Sequence, residues 1–307
     1  MTGQGPKPGQ GPKPGQGPKP GQGPKPGEGP ITGERPKPAR PAGPGAGAQP
    51  DSSRLLIEID GSVATLTMNR PAALNALDAA LKDALFEAFR RIARDREIRV
   101  VILTGAGRAF CAGQDLREAR GGVSLATELR QQYNPLILAM RRLEKPIVGA
   151  VNGVAAGAGM SLALACDLRL ASEQASFNVA FGKIGLVPDS GASWFLPRLI
   201  GPARAAEIMF TSDPVPAPAA ERIGLVSRVV PADQLMPEAR MLATRLASAG
   251  PRALGLTKRA LNRSMEVGLE EALAYEASLQ GIAGATRDHE EGLRAFSEKR
   301  PPQFTGE

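Results

Sequence analysis

The sequence predicts an α/β fold: a mainly parallel inner sheet wrapped by helices, with a helical layer over its last third. Three observations carry this expectation. Short apolar runs punctuated by glycine recur along the middle of the chain, as in "VVILTG" (100–105) and "PIVGAVNG" (146–153), and read as buried parallel strands. Stretches with helical spacing of apolar residues alternate with them. From Pro231 to Arg300 the pattern is mostly helical.

Taken in order, "RLLIEIDGSVATLTMNR" (54–70) reads as two short strands around the turn Asp60-Gly61. "LDAALKDALFEAFRRIARD" (77–95) is an amphipathic helix, with Leu81, Leu85, Phe89 and Ile92 on one face. The two glycine-punctuated strands follow. "AGMSLALACD" (158–167) is apolar throughout and reads as a buried helix. "LRLAS" (168–172) and "GLVSRVV" (224–230) read as further strands, and "ASWFLPRLI" as a helix. "LEEALAYEASLQGIAG" (269–284) carries apolar residues on more than one face, which suits either a core or a neighbouring subunit.

The first 50 residues differ from the rest. "GQGPKP" occurs four times in succession from residue 3, followed by "GEGPIT" and "GERPKP" in phase. This segment holds 14 of the 28 prolines and 14 of the 36 glycines, and almost no large apolar side chain. Such a composition does not bury enough surface to offset its ordering entropy. The expectation is a disordered Gly/Pro/Lys tail over 1–50, a core over 51–250 and a C-terminal helical region over 251–307. The tail carries 5 Lys, 2 Arg and 2 Glu, a net +5 of the chain's +7, so residues 51–307 carry only +2. The basic pI is a property of the tail, and charge gives no argument for a nucleic-acid partner. The tail also lacks an aromatic residue on which bases would stack. No run of 18 apolar residues and no apolar leader occurs, so the expected setting is the cytoplasm, without a membrane anchor. The two cysteines, Cys111 and Cys166, sit in apolar runs and are expected to be reduced thiols.

Composition also removes several chemistries. The one histidine, His289, lies in the charged run "TRDHEEG" and reads as a surface residue. A Ser-His-Asp or Cys-His nucleophile would need it as partner. A His/Cys metal site lacks ligands, so no metal is expected. "GAGRAF" (105–110) has Phe110 where a dinucleotide fingerprint needs a third small residue. "GMSLA" (159–163) is a partial nucleophile elbow without its last glycine.

What remains is chemistry from backbone N–H groups and a carboxylate. "NGVAAGAG" (152–159) is a small-residue turn entering a helix, and "FCAGQDL" (110–116) is a second one after a strand. Two such turns at adjacent strand ends can offer two N–H donors to one oxygen. Tight helix–strand packing explains the same residues without any ligand. "GKIGLVPDSGAS" (182–193) places one acid, Asp189, in apolar surroundings before a helix. There it either caps that helix or moves a proton.

The motifs "MNRPAALNALD", "GRAFCAGQDL", "KPIVGAVNGVAAGAG" and "IGLVPDSGAS" together resemble the crotonase (enoyl-CoA hydratase/isomerase) superfamily, over about Arg54 to Phe304. "FCAGQDL", "QYNPLI", "AVNGVAAGAG" and "KRPPQFTG" bring it nearest to the branch of ring 1,2-epoxyphenylacetyl-CoA isomerases. The resemblance implies a spiral of ββα units with a C-terminal helical layer, an acyl-CoA substrate, no cofactor beyond the CoA carried by that substrate, and a homotrimer or homohexamer. It implies oxyanion donors at the N–H groups of Gln114 and Ala158. CoA or substrate contacts fall at Ala112, Gly113, Asp115, Leu116 and Gly157, and Lys258 is expected near the CoA phosphates. Where hydratases carry two glutamates this chain has Ser161 and Phe181. The implied catalytic acid–base is therefore Asp189 alone, with Leu186, Val187, Phe181 and Trp194 as apolar walls. The expected activity is isomerisation of ring 1,2-epoxyphenylacetyl-CoA to the oxepin, a 3-enoyl to 2-enoyl double-bond shift, or both. Alternatives are a fatty enoyl-CoA isomerase, a dehalogenase using Asp189 as nucleophile, and a non-catalytic binding protein of the same fold.

Overall fold

The computed structural model describes residues 54–118 and 124–307, together with residues 2 and 3. The repeat tail and its expected boundary at residue 50 lie outside the described residues. The described residues from 54 onward form one unit.

Two strands open the fold, β1 (Leu55–Asp60) and β2 (Val63–Met68), paired antiparallel around Gly61. That glycine has φ +53°, the left-handed region that a tight hairpin turn requires. Helix α1 (Ala79–Arg94) starts where Asp78 caps it, its carboxylate accepting the Leu81 N–H at 2.8 Å. Leu81, Leu85, Phe89 and Ile92 form its buried face, as their spacing requires.

The middle of the chain then repeats one move. Strand β3 (Val100–Gly105) is followed by β4 (Ala109–Cys111), β5 (Ile147–Val151) by β6 (Val154–Ala156), and β7 (Leu168–Ser172) by β8 (Ser176–Asn178). The first strand of each pair joins a six-stranded sheet, ordered β1-β2-β3-β5-β7-β10, where β10 is Arg228–Val230. The second joins a four-stranded sheet, β4-β6-β8-β9, where β9 is Val215–Pro216. Pairings along β2 to β10 and along β4 to β8 are parallel. This is the spiral of ββα units. Strand β10 is shorter than the sequence suggests, because Gly224 turns the chain at φ +80° and residues 225–227 do not join the ladder.

Between these pairs lie α2 (Leu125–Glu128), a π-helical turn (Leu129–Tyr133), α3 (Asn134–Arg142) and α4 (Ala158–Ala165). Then come α5 (Ala192–Ile200), α6 (Pro202–Thr211) and α7 (Ala217–Arg222). The final third is α8 (Leu235–Ala247), α9 (Pro251–Ser264), α10 (Leu269–Gly284) and α11 (Arg287–Glu298). The middle of the six-stranded sheet is buried on both faces, while its edge strand β1 is largely exposed. Val101 and Leu103 of β3 pack with α1 and α3, while Val100 and Ile102 pack with Leu235, Ala239 and Ala243 of α8. Alternate residues of one strand thus serve two cores. The C-terminal helices are tied back by Lys258, whose Nζ meets Asp167 at 2.7 Å, and by Arg252, 2.8 Å from Glu144. Among the described residues no helix is long and apolar enough to cross a membrane.

One close approach sets the spacing of the two sheets and their helices. All eight residues of α4 are buried, and a Cβ at Gly159 would stand 2.1 Å from the Cys111 carbonyl oxygen at the end of β4. Gly159→Ala must push α4 away from β4. Overpacking of this kind costs about 1–3 kcal/mol. The expected result is a lower urea midpoint with an unchanged slope, measured by circular dichroism.

Candidate active site

Three loops leave the carboxyl ends of β4, β6 and β8 and meet at one cavity of about 420 Å³. Carboxyl ends of parallel strands are where open α/β sheets receive ligands. The first loop supplies Ala112, Gly113, Gln114 and Leu116, and the second Gly157 and Ala158. The third supplies Ala180, Phe181, Lys183, Ile184, Leu186, Val187 and Asp189.

The first loop is held by its backbone. Ala112 N–H donates to the Leu74 carbonyl at 2.9 Å, Leu77 N–H to Gly113 O at 2.7 Å, and Asp115 N–H to Leu77 O at 3.0 Å. These bonds use the Ala112 and Asp115 N–H groups and the Gly113 carbonyl, which bracket the Gln114 N–H. The Gln114 N–H has no acceptor among the described residues. The second loop is held by Gly157 N–H, which donates to Asn178 O at 2.9 Å. Ala158 is the first residue of α4, so its N–H has no intrahelical acceptor, and none is found among the described residues. The two loops touch at Gly113 (φ +95°), where a Cβ would lie 2.7 Å from Ala156 O and 3.4 Å from Ala158 N. Two unpaired donors from distant parts of the chain therefore line one cavity.

Asp189 lines the same cavity and is half-buried. Its Oδ1 accepts from the Ser190 hydroxyl at 2.8 Å. Among the described residues no Lys or Arg pairs with it. Burial pushes its pKa up from the ordinary aspartate range; Ser190 opposes this and the Glu128 charge adds to it. The capping alternative does not hold. The N-cap of α5 is Gly191 (φ +87°), without a side-chain cap, and only the Asp189 backbone carbonyl engages the helix, through Ala192 N–H at 3.0 Å. The buried Ser161 hydroxyl donates to that same carbonyl at 3.0 Å. Ser190 adopts φ +51°, a strained conformation for a residue with a side chain.

Of the residues expected from sequence, Ala112, Gly113, Gln114, Leu116, Gly157, Ala158 and Asp189 line the cavity, as do Phe181, Leu186 and Val187. Asp115 does not. Its buried carboxylate binds Arg117 (3.0 Å) and Arg70 (2.9 Å), which hold its pKa far below the usual carboxylate range. It braces the loop from behind. Trp194 is not a wall either; it faces a second cavity, under the Arg198 guanidinium at 4.3 Å. Lys258 is also corrected. It is buried in that other region, bonded to Asp167, Met140 O and Lys145 O, and has no place at the mouth of this cavity. His289 is exposed, as expected. Cys111 and Cys166 are buried and unpaired, and burial pushes each thiol up to about 12, so neither serves as a nucleophile.

Sequence reasoning missed seven lining residues, Leu125, Glu128, Leu129, Tyr133, Ala180, Lys183 and Ile184. Asp189 is therefore not the only acid in the cavity. Glu128 is occupied, however: its Oε1 accepts from Lys82 Nζ at 2.5 Å and from Gln114 Nε2 at 2.8 Å. The only sequence signal was Lys82 on the apolar face of α1. Among the described residues no group of His, Cys, Asp and Glu is arranged to hold a metal ion.

The family model for enoyl-CoA hydratase/isomerase matches residues 58–307. A protein of Rhodobacter capsulatus named "Probable enoyl-CoA hydratase" is 44% identical over 250 residues, covering 81% of this chain and 96% of the relative. The 1,2-epoxyphenylacetyl-CoA isomerase of Escherichia coli K12 is 41% identical over 257 residues, covering 82% and 98%. The crystal structure of an enoyl-CoA hydratase from Bacillus anthracis superposes with a TM-score of 0.79 at 36% identity, covering 83% of this chain and all of that one. Relatives named as hydratases and as isomerases thus stand at similar distance. The chain belongs to the enoyl-CoA hydratase/isomerase family and is an enzyme acting on CoA thioesters.

Proposed function

We propose that the chain is an acyl-CoA isomerase with Asp189 as its acid–base residue and the N–H groups of Gln114 and Ala158 as its oxyanion donors. One observation carries this reading: a single unpaired carboxylate shares an apolar cavity with two unpaired backbone donors. The thioester oxygen accepts from both N–H groups, and enolate charge developing there is stabilised. The carbon next to the carbonyl becomes acidic. Asp189 takes its proton as the C–H bond breaks, and returns it to the far end of the allylic system. A 3-enoyl thioester becomes the conjugated 2-enoyl thioester. Every atom stays in the substrate, so no co-reactant is needed. Burial makes the carboxylate a stronger base than a solvated aspartate.

The substrates proposed are ring 1,2-epoxyphenylacetyl-CoA, giving the oxepin, and 3-enoyl-CoA. The walls Phe181, Leu186, Val187 and Leu129 suit an apolar acyl group. Hydration is the second reading, because Glu128 offers a second carboxylate. It is less favoured, since Lys82 and Gln114 already occupy Glu128. The positions where the resemblance puts water-handling glutamates hold Ser161, spent on the Asp189 carbonyl, and Phe181. Dehalogenation is set lower because His289 lies on α11, away from the cavity. We also propose assembly with further copies of the chain, supported by the exposure of Leu269 and Leu273 on α10 and of Leu293 and Phe296 on α11. Light scattering after size exclusion should give a mass of three or six chains; a monomer mass would remove this proposal.

Asp189→Asn should lower kcat on a 3-enoyl-CoA by about 10²–10⁴-fold while KM changes little. Full activity on that substrate and on the ring epoxide would sink the proton-transfer role. The wild-type rate should fall as pH drops through the raised Asp189 pKa, so its acid limb lies above that of a solvated aspartate. The stability sign follows from the same shift. The folded chain holds this proton more tightly than the unfolded chain, so the contribution is favourable at low pH and lost as pH rises through the raised value. Asp189→Asn should therefore raise the thermal midpoint at about pH 8, with the gain vanishing below the unfolded aspartate value of about 3.9.

Ala158→Pro tests the second donor. Position 158 opens α4, where proline is tolerated, and the substitution replaces that N–H by the ring Cδ. Loss of one donor typically costs about 10²–10³-fold in kcat. A folded variant with wild-type kcat would remove Ala158 from the oxyanion site.

A further inference from the structure

Behind the first loop lies a ring of four polar side chains that proton transfer itself does not use. Lys82 is on the core face of α1 and only 1% exposed. Its ammonium meets Glu128 Oε1 at 2.5 Å and sits 4.5 Å from the centre of the Tyr133 ring. Glu128 accepts from Gln114 Nε2 at 2.8 Å, and the Tyr133 hydroxyl donates to Gln114 Oε1. The circuit closes: Lys82 to Glu128, Glu128 to Gln114, Gln114 to Tyr133, and Tyr133 back to Lys82. Both ends of the Gln114 amide are gripped, each by a different residue.

The placement is costly, which argues for a purpose. A buried ammonium needs a partner, and an apolar side chain would fill the same space in α1 at less cost. The tyrosine ends a π-helical turn, a rare geometry that recurs at functional sites. The gripped residue is the one whose backbone N–H stands free at the cavity, between two backbone bonds that anchor Gly113 and Asp115 to Leu77. An oxyanion donor gains its effect from being held in place before the charge develops. Backbone bonds fix its neighbours, and the ring fixes the residue itself.

We propose that Lys82, Glu128 and Tyr133 are positioning residues that act through the Gln114 side chain to aim the Gln114 N–H at the thioester oxygen. This rests on the isomerase reading above only for the rate measurement; the aim of the donor can be read without turnover. Tyr133→Phe removes one hydroxyl and keeps the ring over Lys82. Glu128→Gln keeps an acceptor of the same length and removes the charge. Each should lower kcat on a 3-enoyl-CoA by about tenfold or more, with KM within about twofold, because the contact strengthens in the transition state. If both act through Gln114, Tyr133→Phe should cost nothing further in a Gln114→Ala background. A full additional loss there, or an effect on KM alone, would overturn the proposal.

The second readout uses cinnamoyl-CoA, a conjugated thioester whose absorption moves to the red when its carbonyl oxygen accepts hydrogen bonds. Bound to the wild type it should show that red shift, and bound to Tyr133→Phe it should show a smaller one at saturating ligand. An unchanged shift in the variant overturns the ring's role. A red shift in a wild type that isomerises nothing overturns the isomerase reading and leaves the ring in place. Tyr133→Phe is the milder change, so it keeps the test available should Glu128→Gln fail to fold.

Discussion

The site depends on two backbones that meet with no side chain between them. Gly159 of α4 abuts the Cys111 carbonyl, and Gly113 abuts Ala156 and Ala158. That contact brings the N–H groups of residues 114 and 158 to one cavity, although these residues are 44 positions apart in sequence. A backbone donor has no rotamer to freeze. Its direction is set by the hydrogen-bonded loop or the helix it belongs to, so it is oriented before any charge appears. The small residues of "NGVAAGAG" are the condition for this approach, since a side chain at 159 would have to occupy the space of a carbonyl oxygen.

Charge is distributed with a similar division of labour. Asp78 meets Arg70, Asp115 meets Arg70 and Arg117, and Asp167 meets Arg141 and Lys258. A carboxylate beside a guanidinium becomes a brace, and at Asp115 the Arg117 and Arg70 guanidiniums also hold the pKa well below the usual carboxylate range. Asp189 has only a serine hydroxyl, in a partly dry wall, so it keeps its affinity for protons. The frame and the chemistry use the same functional group with opposite surroundings. Glu128 stands between the two, facing the cavity while held by Lys82 and Gln114.

Period and punctuation made much of the fold legible. The hairpin at Gly61, α1, β3, β5, α4, β7 and α5 all fall where apolar spacing and glycine place them. The four-stranded sheet did not announce itself, because β4, β6 and β8 are three residues each and too short to show a period. The cavity residues with small or apolar side chains were legible through the turns and the resemblance. Asp115 was misplaced because a motif gives a position and not the direction of a side chain; only the fold reveals Arg70 behind it. Trp194 and Lys258 failed likewise, since helices α5 and α9 turn them toward a different cavity. Glu128 and Tyr133 had no motif, and what makes them part of the site is a lysine 46 residues from Glu128 in sequence.

The same frame explains why fold alone does not name the reaction. The two N–H donors are backbone groups, so they remain when the side chains around them change, and side chains act on them only through their aim. What the side chains decide is how many protons can be moved, and where. Ser161 has become a support, holding the Asp189 carbonyl, and Phe181 has become a wall. These are the two positions at which the resemblance implies the glutamates of hydratases, and neither is a glutamate here. Under the isomerase proposal the one unpaired carboxylate, Asp189, both takes the proton and returns it. That proposal implies a rearrangement in which nothing is added, with the donor and acceptor carbons of the substrate on the same face, toward Asp189.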